Sequence, residues 1–137
     1  MECLKRKLKK WLNFERIGEK MNVLFIVLNK SEYLDDILDA FVEVGVTGAT
    51  ILDSQGMGSA LADNGKGNEP FFGVLRNFLD NSRPYNKTIF TVIKDDEILQ
   101  KAVKAVKEIV VDIYEPGVGM MFTLPVGNVY GMDRGDI

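Results

Sequence analysis

Two glycines one residue apart, Gly56 and Gly58, follow a short run, residues 50–52, that has the composition of a strand. Glycines at such a position let the backbone approach a phosphate, because they present N–H donors without a side chain in the way. The spacing alone is not specific: a dinucleotide fingerprint needs a third glycine where Leu61 stands, and no Gly-Lys-Ser/Thr follows. The stretch is therefore a candidate phosphate site whose fold must be established from the rest of the chain.

The residue types that catalyse most reactions are scarce. The chain has no histidine, and so lacks the commonest general base and metal ligand. Its single cysteine, Cys3, cannot form an internal disulfide or a thiolate cluster, which favours a reducing compartment. The acidic clusters at residues 35–39 and 95–97 are predicted to serve solvation and helix capping. We therefore predict no catalytic residues and no metal site, with hard-cation binding and residual nucleotide hydrolysis left open.

The composition is that of one globular domain with an uneven charge distribution. The chain has 137 residues, 46% hydrophobic and 27% charged, and its longest apolar run, residues 23–28, is too short to cross a bilayer. Residues 1–20 have a net charge of +4, whereas the remaining residues have a net charge of −7. An acidic body does not favour nucleic acid as a partner. We expect a cytoplasmic protein with a basic leader, residues 1–20, and one domain, residues 21–137.

The basic leader has the pattern of an amphipathic helix with cationic flanks. Its large apolar residues recur on one helical face: Leu4, Leu8, Trp11 and Leu12. Such a helix could lie on an anionic membrane surface or on a partner protein. It could equally be a packed terminal helix or an upstream extension, because Met21 directly precedes the first predicted strand. No apolar stretch of sufficient length for a secretory signal follows the charges.

An internal repeat indicates the architecture. Shifting the sequence by 65 positions aligns residues 24–32 with residues 89–97 without a gap. Each copy has the pattern of a strand, a capping residue (Ser31 or Asp96) and a helical apolar stripe. The first stripe, which Gly45 is placed to end, comprises Leu34, Ile37, Leu38, Phe41 and Val42. The second comprises Ile98, Ala102, Val106, Ile109 and Val110.

A further strand is predicted after each helix, at residues 47–53 and 120–124. The chain is therefore β-α-β twice over, which predicts an α+β fold of the ferredoxin-like βαββαβ type, a four-stranded antiparallel sheet with two helices on one face. Residues 23–28 and 89–93 are apolar on both sides of their strands. We therefore expect the uncovered face of the sheet to meet other subunits.

A connection of 33 residues, 54–86, separates the two repeats, and connections of that length are usually functional or disordered. Its first half, residues 56–68, is rich in glycine and small polar residues and is predicted to be mobile. In the second half, apolar residues recur at helical spacing: Phe71, Phe72, Leu75, Phe78 and Leu79. They are expected to form a short helix that packs on the body or on a neighbouring subunit, or that docks on another protein.

Three segments, in order and at suitable spacing, resemble the PII signalling family, and more closely its divergent PII-like members. Residues 45–50 (GVTGAT) resemble the segment leading into the family's second strand, and residues 55–58 (QGMG) resemble the Gly-x-Gly at the base of its T-loop. Residues 116–122 (PGVGMMF), followed by residues 124–126 (LPV), resemble its B-loop and last strand. The resemblance extends over residues 21–130.

The resemblance implies a homotrimer with effector clefts between subunits, where the Gly-x-Gly segment of one subunit and the B-loop of the next surround an adenine nucleotide. It assigns eight candidate binding residues: Thr50, Gly56, Met57, Gly58, Ser59, Gly117, Val118 and Gly119. No resident cofactor is implied. The ligand would be an effector such as AMP, ADP, ATP or a cyclic nucleotide.

The chain departs from the family pattern where phosphates are bound. The replacements are Ser59-Ala60 for Arg-Gln, Met120 for the B-loop lysine, and Gly131 and Asp133, near Arg134, for the Arg-x-Arg pair after the last strand. A triphosphate buried without these cations would leave charge uncompensated. Either the effector carries less charge, as AMP, ADP, a cyclic nucleotide or bicarbonate does, or other cations supply it, or nucleotide binding is lost. The candidate cations are Lys66, Arg76, Arg83 and Lys87.

The segment between Gly56 and Pro84 has no tyrosine, so the uridylylation switch of the nitrogen regulators is not expected. We predict a non-enzymatic PII-like signal-transduction protein that binds a small effector and regulates a partner protein, such as a membrane transporter or an enzyme, through residues 54–86. The alternative is a CutA-like or purely structural, protein-docking trimer without nucleotide binding. The missing histidines and single cysteine disfavour soft-metal binding in that alternative.

Overall fold

The structure, a computed structural model, describes residues 1–8, 21–63 and 85–131. Residues 2–8 form a helix, α1. The elements that follow are β1 (Asn22–Leu28), a 3-10 turn (Ser31–Tyr33), α2 (Leu34–Val44), β2 (Thr50–Gln55), α3 (Met57–Asp63), β3 (Tyr85–Ile93), α4 (Asp96–Ile109) and β4 (Gly119–Pro125). None of the helices in these residues combines the length and the apolar character that crossing a membrane requires.

The four strands form one sheet in the order β2-β3-β1-β4, and every neighbouring pair is antiparallel. With the helices α2 and α4 packed on one face, this arrangement confirms the predicted ferredoxin-like α+β fold. Because β1 and β2 run in the same direction, Leu28 and Gln55 finish at the same end of the sheet where Tyr85 and Gly119 begin. We call this the loop end of the sheet.

Alternation along the two central strands separates a core face from an open face. The core-facing residues of these strands are buried: Leu24, Ile26, Leu28, Ile89, Thr91 and Ile93. The helices contribute Ile37 and Phe41 from α2, and Leu99, Ala102 and Val106 from α4. Burial of these apolar side chains holds both helices on the sheet. Val42, predicted within the stripe of α2, is instead 75% exposed, because it lies beside the line of residues that faces the core.

Helix α2 ends at Gly45, as the sequence predicts. Gly45 ends α2 with a φ of 98°, in the left-handed region. The N–H of Val46 then donates to the carbonyl of Phe41 at 2.8 Å, as expected for a glycine that stops a helix. The predicted role of Gly45 is confirmed.

The helix starts differ from prediction. The cap of α4 is Asp95, not Asp96: Asp95 has an extended backbone and its side chain accepts from the N–H of Glu97 at 2.8 Å. Asp96 is already the first helical residue. Ser31 does not cap α2 but begins the 3-10 turn, and α2 starts without a side-chain cap.

The connection between β2 and β3 is shorter than predicted. β2 begins at Thr50 rather than Thr47 and runs to Gln55, while β3 begins at Tyr85. Residues 56–84 therefore connect the two strands. The polar start of β3 was missed because it lacks the apolar run that marks the rest of the strand.

The start of this connection is helical, where a mobile segment was expected. Residues 57–63 form α3, and the N–H of Ala60 donates to the carbonyl of Gly56 at 3.0 Å. The expectation was wrong for this part, because the alanine and leucine residues after Ser59 favour a helix. The helix predicted at residues 71–79 lies outside the described residues.

The open face of the sheet carries a row of aromatic rings. Phe25 lies opposite Phe90 on one side and Phe122 on the other, with ring centroids 5.5 and 5.2 Å apart. The same face carries Val23, Val27, Val92, Met120 and Leu124. Phe122 is 40% exposed and Met120 is 58% exposed in the single chain. A large apolar surface is therefore accessible to another subunit.

Candidate functional site

The Gly-x-Gly segment lies at the loop end of the sheet, between β2 and α3. Gly56 immediately precedes α3, and Met57, Gly58 and Ser59 form its first turn. A Cβ on Gly56 would have nothing nearer than Asn86 Nδ2 at 4.0 Å, so the fold itself does not require a glycine there. The first N–H groups of a helix have no carbonyl partner within that helix, which makes them available to solvent or to a ligand.

The B-loop segment, residues 117–119, also lies at the loop end, where the chain enters β4. Gly117 has a φ of 80°, in the left-handed region that favours glycine. A Cβ on Gly119 would lie 2.4 Å from the carbonyl oxygen of Val27, so β1 leaves no room for one. Val118 is buried in the core, so only its backbone could contact a ligand. The fold therefore favours glycine at both positions, whether or not a ligand binds.

Thr50 lies at the opposite end of β2, in the first position of the strand. It is exposed and lines a cleft of about 770 Å³ between residues 45–50 and residues 90–95. The buried Thr91 fixes one wall of this cleft, because its hydroxyl donates to the carbonyl of Gly48 at 2.6 Å. Thr50 is thus placed at a cleft, but at a distance from the Gly-x-Gly segment.

A single chain does not bring the eight predicted residues together. One row of the sheet runs across all four strands: Asp53, Lys87, Leu28 and Gly119. It places residues 56–59 and 117–119 at the same end of the sheet but on opposite edges, three strand spacings or about 14 Å apart. Thr50 lies about 17 Å along β2 from Gln55. A site that holds both glycine segments side by side needs a second copy of the chain.

Two cations at the loop end are engaged by carboxylates. Lys87, a candidate counter-charge for phosphate, forms an ion pair with Asp53 across β2 and β3. Lys30, just beyond β1, pairs with Asp112 at 2.5 Å. Other cations considered from the sequence lie outside the described residues: Lys66, Arg76, Arg83 and Arg134. Apart from the exposed Lys94 at the Thr50 cleft and the exposed Lys107, which lines a cavity with Gly119, the described part of the site offers backbone donors and few positive charges.

Sequence reasoning missed the residues that hold the B-loop segment. The backbone N–H of Asn29 donates to the carbonyl of Val118 at 3.0 Å, and its side-chain amide donates to the carbonyl of Gly117 at 2.9 Å. These partners are far apart in the chain and form no local motif. The available signal was the polar dipeptide Asn29-Lys30, which directly follows the first strand.

The ion pair between Lys30 and Asp112 shifts the pKa of both side chains. The hydrogen bond from Lys30 to Asp112 raises the pKa of the ammonium group above its usual value and lowers the pKa of the carboxyl group below its usual value. The hydroxyl of Tyr33 also donates to Asp112, at 3.5 Å. Asp112 thus ties the turn before the B-loop to the segment that follows β1.

The acidic clusters show no sign of a site within the described residues. Asp35, Asp36 and Asp39 are exposed on α2, as predicted, and Asp95 caps α4. No group of three or more His, Cys, Asp or Glu side chains in the described part of the chain could hold a metal ion.

Comparison with known protein families shows which family this chain matches. The model of the family described as nitrogen regulatory protein P-II matches residues 21–136. The chain belongs to the PII family. The basic leader, residues 1–20, lies outside the part that matches. No curated protein sequence matches this PII chain.

A solved PII structure is similar in fold. The crystal structure of Arabidopsis thaliana PII bound to citrate superposes with a TM-score of 0.56 and 18% sequence identity, over 85% of this chain and 87% of that chain. At this identity the likeness supports the fold and nothing more specific.

Membership of the PII family bears on the predicted family and on the predicted absence of enzymatic activity. PII proteins are non-enzymatic signalling proteins, so the predicted family and the predicted non-enzymatic role are both confirmed. Proteins of the family generally form trimers, and they bind partner proteins and small effectors such as ATP and ADP. Family membership therefore supports a PII-like regulatory role for this chain.

Proposed function

We propose that this PII chain acts as a homotrimer, binds an adenine nucleotide in the clefts between subunits, and regulates a partner protein through residues 54–86. One observation carries the proposal: residues 56–59 and 117–119 lie at one end of the sheet but on opposite edges. Two neighbouring copies can therefore present one segment each to a shared ligand, whereas one copy cannot present both at close range.

The open face of the sheet supports the trimer. Its central row of Phe25, Phe90 and Phe122 offers aromatic surface, and burial of such surface stabilises association. Towards the loop end the face becomes polar, with the hydroxyls of Ser54 and Thr88 only 2.7 Å apart. An apolar centre with polar groups towards the proposed clefts is the pattern expected of an interface that also borders a ligand site.

The charges near the site favour a ligand with fewer phosphates than ATP. The N–H groups of the glycine segments suit anionic oxygens. However, Lys87 is paired with Asp53, and Met120 occupies the position of the family's B-loop lysine. Phosphate charge buried without a counter-charge is strongly unfavourable. AMP, ADP or a cyclic nucleotide therefore fits the described residues better than ATP.

The signal would pass from the ligand to the loop through α3. Residues 57–59 are the first turn of α3, so contact there favours one orientation of this helix and one state of the loop that follows. A ligand transmits a signal only if it binds one loop state more tightly than the other. The regulated partner would be a membrane transporter or an enzyme in the cytoplasm, and residues 1–20 would hold the trimer near a membrane surface.

A thermal-shift screen of the full chain tests this proposal. The compounds are AMP, ADP, ATP, cyclic AMP, 2-oxoglutarate and bicarbonate, and calorimetry follows each hit. A ligand that binds only the folded protein raises Tm by mass action. We expect a saturable rise with an adenine nucleotide that Gly56→Val diminishes, because a Cβ at Gly56 is tolerated by the fold but lies in the proposed site. Gly127→Val, at another glycine, where a Cβ meets no atom within 4 Å, is the matched control and leaves the rise intact.

The absence of any rise at millimolar concentration would contradict nucleotide binding. It would favour the alternative of a structural or protein-docking trimer of the CutA type. Gly119→Val is unsuitable for this test, because the backbone of Val27 leaves no space for a larger residue and the variant would lose stability whether or not a ligand binds.

A further inference from the structure

The segment after β1 is fastened to the B-loop turn at several points. Asn29 holds the carbonyls of Gly117 and Val118 with its side chain and its backbone. One residue further on, Lys30 pairs with Asp112, which lies in the turn that leads to the B-loop. The attachment thus spans more than 80 residues of sequence and brings the two ends of the B-loop turn to one place.

The same segment leaves its own helix uncapped. In the second repeat, Asp95 occupies the position equivalent to Lys30 and caps α4 through the N–H of Glu97. In the first repeat, neither Lys30 at the 3-10 turn nor Tyr33 at α2 makes a side-chain cap. The ammonium group of Lys30 has no acceptor for helix N–H groups, and both side chains donate to Asp112. The second repeat keeps the side-chain cap of its helix, whereas the first repeat has none. This difference between two otherwise similar repeats indicates that Lys30 and Tyr33 serve another purpose.

The bond from Asn29 also determines where the backbone of Gly119 points. Leu28 lies opposite Gly119, and the N–H of Asn29 donates to Val118, so Leu28 and Gly119 form a non-hydrogen-bonded pair of the antiparallel ladder. In such a pair the N–H group is directed away from the partner strand. The N–H of Gly119 therefore faces the outer edge of β4, where a neighbouring subunit and its ligand would lie.

We propose that Asn29, Lys30 and Asp112 are positioning residues that set the backbone of residues 117–119 for the ligand of the inter-subunit cleft. The proposal rests on the proposed function for the ligand and on the observed contacts for the positioning. A glycine-rich turn has many accessible conformations, and fixing two of its carbonyls restricts them before the ligand arrives. Site geometry held by supporting contacts of this kind binds more tightly than the same groups left unsupported.

The test uses the full chain and two measurements, hydrogen exchange of the amides of residues 111–119 and calorimetric titration with AMP, ADP, ATP and cyclic AMP. In Asn29→Ala and Lys30→Met we expect exchange in this segment to rise about tenfold and nucleotide affinity to fall about tenfold, the size of effect that loss of one hydrogen bond gives. Lys30→Arg, which keeps the charge, retains affinity near that of the wild type. Lys101→Met breaks the exposed pair of Lys101 with Glu97 on α4 and is the matched control that changes neither quantity.

The outcomes separate the two proposals. Unchanged exchange in Asn29→Ala and Lys30→Met overturns the positioning role, whatever the ligand does. Faster exchange with unchanged affinity also overturns it, because the turn would then be held for stability alone. If the wild type binds none of the four nucleotides, the proposed function fails, and the exchange data still decide whether these residues order the turn. Equal loss of affinity in Lys101→Met would assign the effect to general destabilisation and so contradict the proposal.

Discussion

Gly119 lies so close to Val27 that a Cβ added to the glycine would be 2.4 Å from the Val27 carbonyl oxygen. The obstructing atom belongs to the backbone of a central strand and cannot rotate away as a side chain can. Any side chain at position 119 must therefore push β4 away from β1. The B-loop glycine is required by the sheet itself, whether or not a nucleotide binds beside it.

Gly119→Ala is expected to lower the free energy of unfolding by about 1–3 kcal/mol, the usual effect of forcing an extra group into a packed site. Urea unfolding at matched protein concentration measures the change. Gly127→Ala is the control, because a Cβ at Gly127 meets no atom within 4 Å, and its effect should stay within about 0.5 kcal/mol. Equal midpoints for the two variants would show that β4 can shift without loss of stability.

Phe122→Asp is expected to dissociate the oligomer, because it places a charge within the apolar open face, at the β4 end of the aromatic row. Analytical ultracentrifugation gives the mass of the assembly, and circular dichroism checks that the chain is folded. Val42→Asp is the control: Val42 is also apolar and exposed, but it lies on α2, away from the open face. A trimer that survives Phe122→Asp and dissociates with Val42→Asp would place the interface on the helices.

Thr91→Val is expected to destabilise the fold by about 1 kcal/mol, because the valine cannot donate to the carbonyl of Gly48. The variant should also weaken any ligand that occupies the Thr50 cleft, since the wall of that cleft loses its attachment to β3. Chemical unfolding and nucleotide titration measure the two effects. Thr123→Val, an exposed threonine on β4, should change neither, and an equal response from it would refute the role of Thr91.

The pair of Lys30 and Asp112 predicts a particular dependence of stability on pH. The pKa of Asp112 is lowered from 3.8, so its contribution is present above that value and is lost as the pH falls through the lower folded pKa. The pKa of Lys30 is raised from 10.5, so its contribution is present below that value and is lost as the pH rises through the higher folded pKa. Between these limits the contribution is constant.

Unfolding of the wild type and of Asp112→Asn, measured from pH 7 to pH 2, tests this dependence. The wild type should be the more stable at pH 7, and the difference should shrink as the carboxyl group becomes protonated below pH 3.8. A difference that stays constant to pH 2 would mean that Asp112 contributes through packing and not through its charge.

The fold was predictable because the sequence patterns of its strands and helices are local and occur in two copies. The repeat of strand, helix and strand, together with Gly45, sufficed for the topology and for one helix end. Boundaries failed where local signals compete: Asp95 and Asp96 are both good caps, and only the backbone conformation distinguishes them. Helix α3 was missed because glycines at its start suggested a loop.

The candidate site was predictable only in part, because its arrangement is set by contacts between distant residues. The glycine motifs pointed to two loops that the sheet brings to the same end, but they did not reveal that Val118 is a core residue or that Gly119 is required by its packing against β1. The contacts of Asn29 with Gly117 and of Lys30 with Asp112 could not be predicted from the sequence, since they depend on how the sheet brings β1 beside β4.

Calorimetric titration of the wild type and of folded, dissociated Phe122→Asp with the nucleotide that gives the largest thermal shift tests whether the ligand site lies between subunits. We expect the wild type to bind one nucleotide per subunit with saturation, and the folded single subunit to bind none at the same concentrations, because each copy supplies only half of the contacts. Binding of equal affinity by the single subunit would contradict an inter-subunit site.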